Sequence, residues 1–345
     1  MSNPIISVIV NTYNYGRFIE DAIDSVLAQD FPADQMEILV VDDGSTDDTA
    51  DRVKKYGGRI RYLYKENGDQ ASAVTYGFSH SSGEQIALLD GDDVWLPRKL
   101  SRVVQQFATN PRTAMVFHKY AFWDCRDNSM WEPSYFTEVS GDVLRERRKL
   151  LSYSAAPTSS LVFRREALQR LSNIPLGRPF NFDAYLIMAV LFLGPIGYVP
   201  ELLSRNRVHG RNRWAADRSG AEPEILRRRT ARLGAAIEVL RDWTQANGAD
   251  ARSQARTILR RYQLLNEDWL FELNPPARSR LFLHDVRHNL LYGPIMTRSE
   301  LAYKWIYALV ALIVGKHAHY MEGIRTRAKR IAGHFRQPLG PAETQ

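Results

Sequence analysis

The strongest constraint on how this chain can fold is an alternation in its first ninety residues. Ile5-Ile6-Ser7-Val8-Ile9-Val10 is a β-branched apolar run, and Ile19, Ala22, Ile23, Val26 and Leu27 then recur at helical spacing. Ile38-Leu39-Val40-Val41 repeats the strand signal and Asp42-Asp43-Gly44-Ser45 ends it, which places Ser45 or Thr46 to cap a helix leading to Tyr56. A strand at residues 60–64, a helix at about 70–79 and a strand at 85–89 complete a βαβαβαβ unit. Strands that are apolar throughout have no face to give to water. The alternation therefore predicts an α/β fold with a mostly parallel sheet covered by helices on both faces. In such sheets ligands bind beyond the strand C-termini, which directs attention to the segments after Val10, Val41 and Leu89.

From about Glu222 the texture changes to long amphipathic helices through Ile225, Leu226, Leu233, Ile237 and Leu240, then Ile258, Leu259, Tyr262, Leu265 and Trp269, with a break at Pro275-Pro276. The chain of 345 residues has room for two domains. The expected division is an α/β domain over 1–220 and a helical, basic region over 221–345. Charge supports it, since residues 1–200 carry 21 basic and 25 acidic side chains and residues 201–345 carry 25 and 14. An excess of positive charge confined to one end suits an anionic partner. Cys125 is the only cysteine, which excludes an internal disulfide and a thiolate-only metal site. Met1-Ser2-Asn3-Pro4 shows no secretory signal, so a cytoplasmic location is expected.

Leu88-Leu89-Asp90-Gly91-Asp92-Asp93 sets three carboxylates at the mouth of a buried strand. Their mutual repulsion calls for a positive partner, and a hard divalent cation with oxygen ligands is the natural one. Such an ion, held by one or two carboxylates, keeps positions free for phosphate oxygens. A solvated Asp-Gly turn is the plain alternative. Against it, Asp42-Asp43 ends another strand of the same sheet, so two acidic clusters converge on one edge.

Val8-Ile9-Val10-Asn11-Thr12-Tyr13-Asn14, Val41-Asp42-Asp43-Gly44-Ser45-Thr46-Asp47, Glu66-Asn67-Gly68, Leu89-Asp90-Gly91-Asp92-Asp93, Pro157-Thr158-Ser159, Phe163-Arg164-Arg165-Glu166 and Arg207-Val208-His209-Gly210 together, in order and spacing, resemble the inverting glycosyltransferases of family 2, which have a GT-A fold. The resemblance implies transfer of a sugar from a nucleotide-diphosphate sugar to a hydroxyl of a glycan or lipid-linked acceptor, with a nucleotide-binding part at about 1–100 and an acceptor part at about 101–220. It implies that Asn11, Tyr13 and Asn67 line the nucleotide pocket, that Asp42 accepts a hydrogen bond from the base, and that Asp90 faces the ribose or sugar. Asp92 would ligate Mg2+ or Mn2+ against the diphosphate, with His209 as a second ligand or a support for the leaving group. The family's base is the Asp of a Glu-Asp pair at a helix start. Asn181-Phe182-Asp183-Ala184 offers Asp183, with Phe182 in place of the Glu, and an apolar neighbour would raise the pKa of Asp183 by desolvation. The chain also departs from the family at Val74-Thr75, where many relatives have Arg-Asn. Gly210 before Arg211-Asn212-Arg213-Trp214 departs from the processive signature, which argues against polymerisation.

Trp305-Ile306-Tyr307-Ala308-Leu309-Val310-Ala311-Leu312-Ile313-Val314 is too short to span a bilayer, which takes ~20 apolar residues. Ile324, Ala328, Ile331 and Phe335 share one helical face beside Arg325, Arg327, Lys329 and Arg330, a pattern suited to an anionic membrane surface at the inner face of the cell membrane. A core helix followed by a solvated tail is the alternative. No motif for nucleic-acid recognition is present. A nucleotidyltransferase would need a Gly-rich basic loop after the first strand, where Asn11-Thr12-Tyr13-Asn14-Tyr15-Gly16 has one Gly and no Lys. A non-catalytic binding protein that keeps the fold remains the other alternative.

Overall fold

A computed structural model describes residues 3–133, 138–146, 149–150, 156–172, 180–209, 223–248 and 253–273, with short helical pieces between 283 and 291. The apolar stretch at 305–314, the basic helix expected at 324–335, Pro275-Pro276 and the segment 210–222 lie outside the described residues. Two compact units divide the chain, Met1–Asn266 and Glu267–Gln345. The helix beginning at residue 223 therefore lies within the first unit.

The expected alternation is present. β1 (Ile6–Thr12), α1 (Gly16–Leu27), β2 (Met36–Asp42), α2 (Thr49–Lys54), β3 (Arg61–Tyr64), α3 (Asp69–Ser79) and β4 (Gln85–Asp90) follow in order. β1 is buried along its whole length, as a central parallel strand must be. On one face Val8 and Val10 pack with Ile19, Ile23 and Val26 of α1. On the other, α3 crosses β1 and β2 at Gly77, where a Cβ would come within 2.8 Å of both Ile9 and Val41. Only a glycine lets the helix sit that close. The cap expected at Ser45 or Thr46 is not used. α2 starts at Thr49, and Ser45 and Thr46 instead bond across to Asn14, which sits at φ +56° after β1.

Then come β5 (Val94–Trp95), α4 (Lys99–Ala108), β6 (Met115–Asp124), β7 (Ser129–Trp131), β8 (Val162–Arg164), α5 (Arg165–Ser172), α6 (Phe182–Ala189) and β9 (Ile196–Val208). Among the described residues the sheet has nine strands in the order β3-β2-β1-β4-β8-β6-β9-β5, with β7 beside β6. β1, β2, β3 and β4 run parallel. β8 is antiparallel to both β4 and β6, and β9 is parallel to β6. Two register shifts against His118, Lys119 and Tyr120 interrupt β9, and such bulges re-aim a strand. Its end is thereby carried to the turn after β4. α7 (Pro223–Ala246) starts with proline, whose missing N–H costs nothing there. It is tied to the sheet unit by Asn181 N–H to Arg232 O at 3.1 Å and Trp243 Nε1 to Arg170 O at 3.0 Å. α8 (Ser253–Leu273) follows. Among the described residues no helix is long and apolar enough to cross a membrane.

Candidate active site

β1 lies between β2 and β4, so the chain reverses its winding direction there and a crevice opens beyond the strand ends. Register does the rest. Asn11 lies beside Asp90 and Thr12 beside Asp42, which brings two of the sequence's acidic signals to one edge.

Asp42 is fully buried and accepts from the Tyr62 hydroxyl at 2.6 Å and the Ser45 N–H at 2.7 Å. Burial, then the Asp42 carboxylate, pushes the Tyr62 pKa up, so the phenol stays a donor. Asp43 is occupied by Lys65 Nζ at 2.6 Å and the Gly68 N–H at 3.0 Å. Asn67 Nδ2 donates to Asp43 O at 2.9 Å, and Gly44, at φ +84°, leaves room for Asn67 where a Cβ would approach its N–H within 2.8 Å. Asn67 thus shapes the wall below Asp42. Tyr13 is exposed at the loop after β1, beside the Asn14 bonds that tie this loop to the one after β2.

The three acids after Leu89 have three different surroundings. Asp90 accepts from Asn11 Nδ2 at 2.9 Å and Gln70 Nε2 at 2.8 Å, and Gln70 also reaches Thr158 Oγ1 at 3.1 Å. Desolvation, then the Asp92 charge, pushes the Asp90 pKa up to about 7. Asp92 Oδ2 lies 3.0 Å from His209 Nε2, and both residues are buried. The imidazole is wedged beside the rings of Phe18 at 4.7 Å and Tyr15 at 5.8 Å. Asp93 is the hub. It accepts from Ser159 Oγ at 2.6 Å, from Asn206 Nδ2 and from the Arg207 N–H at 2.8 Å. Burial, then Asp92 and Asp90, pushes its pKa well up. Arg207 sits between the rings of Phe18 and Trp123, at 4.7 and 4.4 Å. It donates through Nε to Asp92 O at 2.8 Å and pairs with Asp21. Behind this layer Lys99 is fully buried, with Nζ 2.6 Å from Ser159 O and 3.6 Å from the Trp95 ring centroid. Burial holds its pKa well below the usual lysine range.

Asp183 is in the first turn of α6, whose start is capped by Asn181 Oδ1 accepting from the Ala184 N–H at 3.1 Å. The Asp183 carboxyl also takes that N–H, at 2.8 Å. Burial pushes its pKa up to about 6 against the pull of that hydrogen bond, and its charge adds to the rise at Asp90. Phe182 packs with Phe180 and Tyr185 in an aromatic cluster. One edge therefore gathers an amide, a fully buried carboxylate, an Asp-His pair and a carboxyl whose pKa is raised to about 6.

Residues 7–172 match the model of glycosyl transferase family 2. An uncharacterized glycosyltransferase of Nostoc sp. is 35% identical over 217 residues, covering 60% of this chain and 66% of its own length. One of Rickettsia typhi is 28% identical over 212 residues, covering 60% and 65%. The chain thus spans just under two thirds of the length of these curated relatives. Among solved structures, S. aureus TarS 1-349 in complex with UDP-GlcNAc matches at 17% identity over 90% of this chain and 92% of that one, with a TM-score of 0.54. The mannosyltransferase PcManGT from Pyrobaculum calidifontis, in complex with GDP-Man and Mn2+, matches at 22% identity over 92% and 89%, with a TM-score of 0.55. The sheet with its flanking helices is the GT-A fold.

Within residues 7–172, Asn11, Asp42, Asn67, Asp90 and Asp92 stand on the edge the sequence indicates, and His209 and Asp183 reach the same edge from the end of β9 and from α6. Gln70, Tyr62, Ser159, Asn206 and Arg207 complete it without any strong local signal. Ser159 and Arg207 lie inside motifs that the sequence shows, Pro157-Thr158-Ser159 and Arg207-Val208-His209-Gly210. Among the described residues no three His, Cys, Asp or Glu side chains gather as a complete metal cage. The Asp92-His209 pair still fits a shared ion. Asp92 Oδ2 and His209 Nε2 already meet at 3.0 Å, and the pair would offer an ion one oxygen and one nitrogen donor. A mixed oxygen and nitrogen pair suits Mn2+ better than Mg2+, which prefers oxygen alone.

Proposed function

We propose that the protein is an inverting glycosyltransferase that takes its sugar from a nucleotide-diphosphate donor and delivers it to a hydroxyl of a glycan or lipid-linked acceptor. The observation that carries this reading is the single sheet edge on which Asp42, Asp90, the Asp92-His209 pair and Asp183 meet. The nucleotide sugars bound by the two structural neighbours support the donor class.

Asp42, held rigid by Tyr62 and Ser45, receives a hydrogen bond from the base, and Tyr13 covers it from the open side. Asn11 and Gln70 orient Asp90 towards the ribose or sugar. Asp92 and His209 would hold a divalent ion, Mn2+ in preference to Mg2+, and such an ion would supply positive charge to offset that of the diphosphate. Asp183 accepts the proton of the acceptor hydroxyl as its oxygen attacks the anomeric carbon from the face opposite the diphosphate. A carboxylate with a pKa of about 6 suits that role, being ionised at neutral pH yet basic enough to take a proton. Delivery to a lipid-linked acceptor would be helped by the basic C-terminal region at an anionic membrane surface.

The test is nucleotide release from a panel of UDP, GDP, dTDP and CDP sugars, with Mn2+ and with chelator, for the wild type and Asp183→Asn. Metal-dependent release that Asp183→Asn abolishes while nucleotide binding persists supports the reading. Binding without turnover of any donor, in the presence of candidate acceptors, would make the chain a non-catalytic relative.

A further inference from the structure

A cavity of about 740 Å³ opens at the opposite edge of the sheet. β4 and β6 are both antiparallel to β8, so β6 and β9 run in the direction of β1 and β4. Their first residues, Met115 and Ile196, therefore mark the edge far from Asn11 and Asp90. The cavity is walled by the segments 111–114 and 193–195 that lead into these two strands, and by α5. Its frame is fixed by backbone bonds, Ala114 N–H to Pro195 O at 2.8 Å, Arg164 N–H to Ala114 O at 2.9 Å and Gly141 N–H to Ile196 O at 2.7 Å.

Arg112, Arg145, Arg164 and Arg170 line it, against Asp142 and Glu166. Arg145 pairs with Asp142 at 2.9 Å. Arg164 gives Nε to Thr113 O at 3.1 Å, which aims the side chain and leaves its two terminal nitrogens for another acceptor. Among the described residues no carboxylate pairs with Arg112, Arg164 or Arg170. The far end of the Arg170 backbone is pinned by Trp243. Four guanidiniums against the two carboxylates of Asp142 and Glu166 leave the lining net positive, and the concave wall concentrates that field. Guanidinium forks match tetrahedral oxyanions, which accept several charge-assisted hydrogen bonds at once. The volume is that of a small-molecule site.

We propose that this cavity binds a phosphate-bearing anion, supplied either as a soluble phosphate or as the headgroup of an anionic lipid. The site is separate from the sheet edge assigned to sugar transfer and does not depend on that assignment.

The test uses the full chain and two probes: inorganic phosphate followed by titration calorimetry, and sedimentation with phosphatidylglycerol-containing vesicles against phosphatidylcholine alone. Arg112→Glu/Arg170→Glu changes two exposed side chains. Arg112→Gln/Arg170→Gln serves if charge reversal impairs folding by circular dichroism. The expected result is binding of at least one probe by the wild type, weakened at least tenfold, about 1.4 kcal/mol, in the double variant, and unchanged in Asp92→Ala. Binding of the vesicles alone identifies a lipid headgroup, and binding of inorganic phosphate as well identifies a soluble source. The proposal is overturned if the wild type binds neither probe, if the double variants bind as the wild type does, or if Asp92→Ala abolishes the binding.

Discussion

The two halves of the sheet are built on different logics. In the half formed by β1 to β4, each site residue stands at the end of its own strand, and parallel pairing brings Asn11, Asp42 and Asp90 together. In the half formed by β5 to β9, side chains from distant segments reach across to brace what the first half presents. Ser159, Asn206 and Arg207 all converge on Asp93, from separations of 66, 113 and 114 residues. On the proposed function, the first half displays groups to the donor, and the second fixes the angle at which Asp92 and His209 are displayed. Substitutions in the two halves should therefore fail in different ways.

The largest effect is expected at Asp183. Asp183→Asn should lower kcat by about 10³-fold, the usual scale for losing a general base, with nucleotide affinity by calorimetry unchanged. A retained kcat would remove Asp183 from the chemistry. The same residue sets a pH dependence. Only the carboxylate can accept a proton, and burial holds that proton until about pH 6, so kcat/KM should fall tenfold per unit as pH drops below about 6 and level off above it. A profile flat to pH 5 would contradict this.

His209→Ala should weaken Mn2+ affinity by about 10- to 100-fold and Mg2+ affinity by less, since the loss of the imidazole leaves an oxygen site. Equal losses for the two ions would place His209 outside the coordination sphere. Asp93→Asn touches no ligand. Replacing one acceptor oxygen by an amide strands at least one of the three donors it serves, at about 1 to 3 kcal/mol. It should lower both thermal stability and Mn2+ affinity, whereas a purely structural role would spare the metal affinity of the folded fraction. Tyr62→Phe should have the smallest effect. It frees one oxygen of Asp42 without removing any group that would touch the donor, and should raise donor KM by about five- to tenfold, about 1 kcal/mol and the net value of an ordinary hydrogen bond, with kcat unchanged.

The same contrast explains what the sequence revealed. The first half is legible because strand and helix periodicities are local and a carboxylate after a buried strand is conspicuous. The start of α2 was misplaced because Ser45 and Thr46 satisfy Asn14 across the crevice, a partner 31 or more residues away. The second half is legible only where a motif falls on it. Arg207 lies in, and His209 just past, a strand whose course depends on irregular pairing opposite Lys119, and Lys99 reads as an ordinary helix lysine although it is fully buried against Trp95. Neither fact has a local signature.

The most direct test of the account is calorimetric binding of nucleoside diphosphates to the wild type and Asp92→Ala, with Mn2+ and with chelator. The account predicts that chelation weakens wild-type binding to the level of the variant and that Mn2+ does nothing for the variant. Equal, Mn2+-strengthened binding by both proteins would contradict it.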